Sequence, residues 1–235
     1  MEQLKFKLLK DNTLEVVGDK SYRRYDSIVI PSVADFNDKK LKVTSIGECA
    51  FYSLGLEKIE MPDSIKSIGR RAFGDCKLLR NIKLSKNLTS IGNSAFEGCE
   101  FSNIKIPDKV TFIGERAFLC CKNLESIEIP NNITSINESA FSGCSSLKSV
   151  KLPENIITID NFAFARCSNL ANIEIPKKVE SIGDFAFLAC NKLSVLEIPE
   201  SVKKIGEYAF KDSICLFIVH TNKNSPFHNC IVRYV

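Results

Sequence analysis

The chain is short of the residues that carry most enzyme chemistry. Its 235 residues include two histidines, two methionines and no tryptophan. No phosphate-binding glycine loop and no H-E-x-x-H, C-x-x-C or G-x-S-x-G motif occurs in the sequence. Both histidines, His220 and His228, lie near the C-terminus, so a histidine-activated nucleophile could form only there. We therefore expect no enzyme activity, no metal and no cofactor.

Long hydrophobic runs and charge of one sign are absent as well. No apolar segment approaches the roughly 20 residues that cross a bilayer, and Lys5, Lys7 and Lys10 interrupt the first apolar segment, so it does not predict a signal peptide. The 32 basic residues are mixed with 28 acids along the chain, whereas nucleic-acid binding calls for a one-sided basic stripe. We expect neither membrane insertion nor a nucleic-acid partner.

What the sequence does contain is a repeat. The motif Ile-x-x-x-Ala-Phe recurs at spacings of 22 or 23 residues. Its isoleucines are Ile46, Ile68, Ile91, Ile113, Ile136, Ile159, Ile182 and Ile205. A single unit, such as residues 124–146, cannot bury its apolar side chains alone, so stacked units must bury them against each other. The period predicts a solenoid.

Each unit divides into three short segments. Residues 127–129 (Ile-Glu-Ile) alternate in polarity and predict a strand, which Pro130 ends because proline cannot donate to a ladder. A second extended segment leads to Ile136, and residues 138–141 predict a helical turn packed by its phenylalanine. The residue after the motif isoleucine is Gly, Asn or Asp, so we predict a left-handed backbone position there.

The units resemble BspA-type leucine-rich repeats. The shared consensus is L-x-x-I-x-I-P-x-x-V-x-x-I-G-x-x-A-F-x-x-C, which covers about residues 43–213, with an imperfect first strand at residues 28–31. The resemblance implies a leucine-rich-repeat solenoid: a right-handed stack of turns of about 23 residues. Each turn would hold a short parallel strand, a second extended segment and a short helical turn.

The same resemblance suggests the domain organisation. The opening residues look like the N-terminal β-hairpin cap of this family, and residues 32–42 replace the usual corner with a longer loop. We divide the chain into a β-hairpin cap with an imperfect first turn (1–42), eight leucine-rich repeats (43–213) and a C-terminal cap (214–235).

Most cysteines follow the repeat. Six of the ten lie three residues after the motif phenylalanine. They are Cys76, Cys99, Cys121, Cys144, Cys167 and Cys190. The first unit has Leu54 there, so the position is a small buried apolar slot, and we expect free, unreactive thiols. Stacked thiols roughly 5 Å apart could form disulfides in principle. Parallel side chains in a packed solenoid, however, rarely have the torsion angle that a disulfide bond requires. Free thiols favour a reducing compartment.

The C-terminal tail contains the residue types of a zinc site. Cys215, His220, His228 and Cys230 are suitable ligands, but their spacing matches no zinc motif. We favour a final strand at residues 216–219 followed by a cap over the last turn, which solenoids need. Zinc stays an alternative.

One candidate surface lies on the first strand of each unit. Its outward position holds Glu60, Lys83, Lys105, Glu128, Lys151, Glu174 and Glu197. Opposite charges on adjacent strands, such as Glu128 and Lys151, could pair. The alternatives are a solvated, solubilising face and a mixed-charge platform for a protein or glycan, centred on Glu128, Lys151 and Glu174.

A second candidate surface is aromatic. The residue before Ala-Phe is Cys49, Arg71, Ser94, Arg116 and Ser139 in the first five units. The last three units have Phe162, Phe185 and Tyr208 there. We predict that these three form an outer stripe that contacts a partner. The alternative is that they pack on one another and close the edge of the solenoid.

The sequence therefore predicts a non-enzymatic repeat module that binds a macromolecule, in protein–protein interaction or in adhesion at a cell surface. The alternative is an intracellular structural scaffold, and an enzyme built on the C-terminal cap is a third hypothesis. Protein is the expected partner, with glycan and self-association left open. The resemblance implies a secreted or surface location, whereas the free cysteines fit the cytoplasm. The lack of a signal peptide fits either the cytoplasm or a signal that was removed before Met1.

Overall fold

The structure is a computed structural model that describes residues 4–213 and the backbone of residues 216–219. The strands within these residues are short and follow the repeat. In chain order they are β1 (Lys5–Leu8), β2 (Leu14–Val17), β3 (Ser27–Val29), β4 (Val33–Phe36), β5 (Lys39–Ile46), β6 (Lys58–Glu60), β7 (Ser67–Ile68), β8 (Asn81–Lys83), β9 (Ser90–Ile91), β10 (Phe112–Ile113), β11 (Ser126–Glu128), β12 (Ser135–Ile136), β13 (Ser149–Lys151), β14 (Thr158–Ile159), β15 (Asn172–Ile173), β16 (Ser181–Ile182), β17 (Val195–Ile198), β18 (Lys204–Ile205) and β19 (Leu216–Val219). A 3-10 helix spans Lys20–Arg24.

Most turns contribute one strand to each of two columns, whereas the turn that contains β10 contributes a strand to the second column alone and meets β11 through an isolated bridge between Asn103 and Ser126. The first-strand column contains β3, β6 and β8, then β11, β13 and β15, then β17 and β19. The second-strand column contains β2, β5, β7, β9 and β10, followed by β12, β14, β16 and β18. Neighbours within a column are parallel, and equivalent repeat positions lie opposite one another, as Glu128 lies opposite Lys151. The solenoid predicted from the period is confirmed.

The N-terminal end is built from hairpins. Strands β1 and β2 pair antiparallel, and β2 joins the second-strand column through β5. The buried Tyr22 of the 3-10 helix ties this hairpin down: its hydroxyl accepts a hydrogen bond from the Lys5 N–H (2.6 Å) and donates to the Val17 carbonyl (3.0 Å). Strands β4 and β5 pair antiparallel as well, so residues 32–42 form a hairpin rather than the predicted loop.

The predicted helical turn is wrong, because the Ala-Phe segments are runs of β-turns. The N–H groups of Ala140, Ser142 and Cys144 donate to carbonyls three residues back, at 3.1–3.3 Å. The N–H groups between them, those of Phe141 and Gly143, donate instead to the next turn of the solenoid at 2.9 and 2.7 Å. A helix would need all of these groups for bonds within the segment. Stacking therefore replaces helical hydrogen bonding.

The left-handed position is also not where the glycine pattern predicted it. Positive φ occurs two residues later, at the residue before Ala-Phe, where φ lies between 51° and 56° in all eight turns. It recurs four residues further on, for example at Gly98 and Gly143. A positive φ at the third residue only is the mark of a type II turn. Two such turns bend every unit around its phenylalanine.

The glycine after the motif isoleucine has a different cause, which is contact between turns. A Cβ atom on Gly92 would lie 2.8 Å from the carbonyl carbon of Gly69, 2.9 Å from the Arg70 nitrogen and 2.9 Å from the Ile68 oxygen. Real Cβ atoms do not approach backbone atoms so closely. Glycine is favoured here because the Gly92 N–H donates to the Ile68 carbonyl at 2.8 Å, which draws the two turns together.

The core is a column of stacked phenylalanines. Successive ring centroids are 5.3–5.6 Å apart from Phe51 to Phe210, with interplanar angles of 3–18°. Two units are one residue short between this column and the first strand. Phe101 fills the space in one of them, where its buried ring meets Phe96 and Phe118 edge to face at 5.9 and 6.4 Å.

Candidate functional site

Phe162, Phe185 and Tyr208 form one continuous surface feature, the aromatic stripe. They occupy the same left-handed position in the β-turn segments of three consecutive turns, so their rings are brought into line by the repeat. Ring centroids are 4.9 Å apart between Phe162 and Phe185, and 5.3 Å apart between Phe185 and Tyr208. Phe162 is 36% exposed, Tyr208 is 56% exposed and Phe185 is half-buried. The side chains thus pack on one another and still face solvent.

The backbone under the aromatic stripe is unfavourable for large side chains. All three residues have positive φ, between 53° and 56°, a region that bulky L-residues rarely adopt. The equivalent residues of other turns, among them Arg71 and Ser139, have the same φ. The fold fixes the left-handed backbone at this position and leaves the choice of side chain open.

The charged end of the stripe is provided by a lysine. The Lys211 ammonium lies 5.2 Å from the centroid of the Tyr208 ring, within the range of a cation–π contact. It covers part of the last ring in the stack. The stripe therefore combines ring edges with a positive charge at its C-terminal end.

The outward residues of the first-strand column form a second surface, the strand face. It contains Glu60, Lys83, Lys105, Glu128, Lys151, Glu174 and Glu197, all of them exposed. The predicted pair between Glu128 and Lys151 is present, and Lys148 pairs with Glu125 at 2.8 Å. The hydrogen bond from Lys151, and then its charge, lower the pKa of Glu128. Among the described residues Glu174 makes no ion pair.

The strand face carries shallow grooves rather than a closed cavity. One of about 580 Å³ runs across the middle turns, lined among others by Glu128, Lys151, Glu174 and Val195. Short side chains, such as those of Ser126 and Ser149, also line it. A small ligand usually requires an enclosed pocket. This open surface is therefore better suited to an extended contact with a macromolecule.

The repeated cysteines are buried structural groups. Each of the six is fully buried, and its thiol donates to the phenylalanine carbonyl of the preceding turn at 3.0–3.2 Å. In the last unit Ser213 takes the same place, and its hydroxyl donates to the Phe187 carbonyl at 2.7 Å. The slot therefore favours a small buried side chain that can donate a hydrogen bond. The cysteine pattern alone indicated only that the slot is small and apolar.

Burial also makes these thiols poor nucleophiles. It raises the pKa of Cys76 to about 11 and raises the pKa of Cys99, Cys121, Cys144 and Cys167 too. Only the thiolate reacts readily. Within the described residues no group of His, Cys, Asp and Glu could hold a metal ion. The zinc alternative, with the proposed C-terminal cap around Cys215, His220, His228 and Cys230, falls outside them.

The thiols give a direct test of this arrangement. We expect an alkylating agent at neutral pH to modify Cys120, which is exposed, while Cys144 reacts only after denaturation. The reason is that burial both shields the Cys144 sulfur and keeps it protonated. Peptide mass spectrometry before and after unfolding measures the two residues in one sample. Equal labelling of both cysteines in the native protein would contradict the burial of the repeated cysteines.

The fold and its repeat define a leucine-rich-repeat solenoid protein. The family described as BspA type Leucine rich repeat region (6 copies) matches residues 11–125, 44–156 and 112–232. The chain belongs to this family. A comparison with curated proteins finds no match. The described residues contain no helix with the length and apolar character of a membrane span.

Solved structures share the fold over most of the chain. A leucine-rich repeat protein from Bacteroides ovatus ATCC 8483 is 30% identical, with a TM-score of 0.71 over 94% of this chain and 70% of that one. A leucine-rich repeat protein from T. pallidum is 28% identical, with a TM-score of 0.72 over 81% of this chain and 87% of that one. A leucine-rich repeat protein from Eubacterium ventriosum ATCC 27560, at 21% identity and a TM-score of 0.59, shares the fold alone.

Proposed function

We propose that the protein is a non-enzymatic repeat module that binds another protein, and that the aromatic stripe is its contact site. The observation that carries the proposal is the switch in residue type at one structural position. Arg71, Ser94, Arg116 and Ser139 have the same left-handed backbone as the stripe, so the solenoid does not require aromatic rings there. Exposed aromatic side chains on a strained backbone call for a reason outside folding.

The orientation of the rings supports a protein partner over a glycan. The ring planes of Phe162 and Phe185 are stacked and nearly parallel, at 7°, and those of Phe185 and Tyr208 differ by 24°. The rings therefore cover one another's faces and turn their edges outward. A sugar ring needs an exposed aromatic face, whereas ring edges carry partial positive charge and suit backbone carbonyls, carboxylates or the face of a partner's aromatic ring. Covering the stripe would contribute a few kcal/mol before association costs.

We further propose that this binding serves adhesion at a cell surface, with an intracellular scaffold as the alternative. Family resemblance supports the adhesive role. The free cysteines do not weigh against it, because the repeated thiols are buried and protonated and would be slow to oxidise in any compartment. Protease treatment of intact cells tests the location. Adhesion is supported if the treated cells contain less of the protein than untreated cells. The scaffold is supported if the protease leaves the amount of protein unchanged.

The contact site is tested by replacing all three stripe residues with serine. We expect the triple variant to keep its urea unfolding midpoint, because the position tolerates polar residues in other turns. Binding to a partner should weaken by about tenfold to a hundredfold, since buried aromatics dominate interface energies. Cross-linking followed by mass spectrometry, with affinities measured for each partner found, gives the comparison.

A matched control separates stripe effects from general loss of aromatic surface. Tyr52 and Phe112 are 41% and 47% exposed on other parts of the solenoid, and their serine variants should bind like wild type. Unfolding of the triple variant would identify the stripe as a packing element. If it stays folded and every partner persists, the strand face centred on Glu128, Lys151 and Glu174 becomes the better contact site.

A further inference from the structure

The charges of the strand face follow a self-complementary order. Over six consecutive turns the outward residues are Lys83, Lys105, Glu128, Lys151, Glu174 and Glu197. Read in chain order, their signs are plus, plus, minus, plus, minus, minus. The same order results when the row is reversed and every sign is exchanged. Each residue thus has a partner of opposite charge at an equal distance from the centre of the row.

The structure places the centre of this row between two paired strands. Glu128 of β11 and Lys151 of β13 lie directly opposite each other in a parallel register. Lys105 lies one turn before this pair and Glu174 one turn after it. A two-fold axis along the strand direction, midway between β11 and β13, would superpose the row on a reversed copy of itself. An axis along the solenoid would instead set each turn against the same turn, with like charges opposed.

We propose that a second copy of this chain docks on the strand face with its solenoid antiparallel to the first. In this arrangement Lys105 of each copy faces Glu174 of the other, and Glu128 faces Lys151. An isologous two-fold contact requires such reciprocity, because residue i meets j wherever j meets i. The proposal concerns a different part of each turn from the aromatic stripe, and it stands without the proposed function.

The neighbouring positions on the strands agree with this arrangement. The residues three before the outward row are Arg80, Ser102, Glu125, Lys148, Ala171 and Ser194. Under the same axis Glu125 meets Lys148 and no two like charges meet. The position between the two rows holds Asn81, Asn103, Ser126, Ser149, Asn172 and Val195. These uncharged and mostly short side chains let the two faces approach.

The contact is small and charged, which determines its properties. Six turns at about 5 Å each, carrying strands about 10 Å long, give a face of roughly 300 Å² per copy, which is below the size of a standard specific interface. Its exposed ion pairs gain strength mainly at low ionic strength. We therefore expect a weak dimer in reversible equilibrium with monomer, favoured where the protein is concentrated.

Charge reversal tests the proposal sharply. Wild type, Lys105→Glu and Glu174→Lys are compared by sedimentation velocity at about 100 µM protein and low salt, as a weak interface demands. We expect the dimer dissociation constant of each single variant to rise by at least about tenfold, because each sets like charges against each other twice. An equimolar mixture of the two variants should form a dimer again, since every contact in the mixed dimer is then of opposite sign.

Two further samples complete the design. The double variant Lys105→Glu with Glu174→Lys should dimerise like wild type, and Lys7→Glu and Glu115→Lys, which make the same charge changes on exposed residues elsewhere, should have no effect. The proposal is overturned if wild type is monomeric at low salt or if the single variants dimerise like wild type. It also fails if the mixture stays monomeric. Recovery in the mixture and in the double variant supports it.

Discussion

Replacing Phe141 with alanine is expected to lower the free energy of unfolding by about 3–5 kcal/mol, the usual cost of removing a buried aromatic side chain. Phe141 is fully buried in the middle of the ring column, 5.3 Å from the ring of Phe118 and 5.6 Å from that of Phe164. The cavity left by the ring cannot close, because backbone hydrogen bonds between turns fix the spacing of the neighbouring rings.

Urea unfolding followed by circular dichroism measures this effect. Phe112→Ala is the control, because Phe112 is 47% exposed and belongs to the second-strand column rather than the ring column. We expect the control to change stability by less than about 1 kcal/mol. Since each turn of a solenoid contacts only its neighbours, Phe141→Ala should also reduce cooperativity and leave the N-terminal turns folded at intermediate urea. Similar midpoints for the two variants would refute the central role of the column.

Replacing Gly92 with alanine is expected to cost about 2–3 kcal/mol, as overpacking of a tight contact does. The added Cβ would meet three backbone atoms of the preceding turn within 2.9 Å, and backbone held by hydrogen bonds cannot move aside as a side chain can. The Gly92 N–H bond to the Ile68 carbonyl would lengthen as the turns separate. Positive φ plays no part, because φ is not positive at this glycine.

Gly55 provides the matched comparison within the same chain. A Cβ there would meet only the Leu78 Cδ1 atom, at 3.9 Å, and its φ is not positive either. Gly55→Ala should therefore be neutral or stabilise by up to about 1 kcal/mol through the unfolded state. Equal urea midpoints for the two alanine variants would show that the turns separate freely and that contact does not select glycine.

The sequence alone was sufficient to predict which residues share a surface position, but not to predict their geometry. Periodicity placed Phe162, Phe185 and Tyr208 on equivalent positions, and the structure brings their rings together. It did not reveal that their backbone is left-handed, because no glycine occurs at that position in any unit. The second left-handed position, four residues further on, holds Gly98 and Gly143 in two units. These glycines were a sequence signal for that second position but not for the first.

The order of charges on the strand face is likewise readable from sequence, but its meaning is not. The parallel register of β11 and β13 confirms that Glu128 and Lys151 lie opposite each other. That register supplies the centre about which the row is self-complementary. Without that register, the charges of the strand face do not define the position of a two-fold axis. The sequence therefore led only to the prediction of ion pairs within one chain.

The sequence by itself determined the class of fold, the positions of most first strands, the buried phenylalanine and cysteine slots and the strand at Leu216–Val219. A constant period of apolar residues permits only stacked turns, since one turn cannot bury them. The tertiary structure decided the β-turns in place of a helix, the left-handed residues, the contact at Gly92 and the thiol hydrogen bond to phenylalanine. All four depend on atoms about 23 residues apart, whose separation is set by hydrogen bonds between turns and is not encoded in any local stretch of sequence.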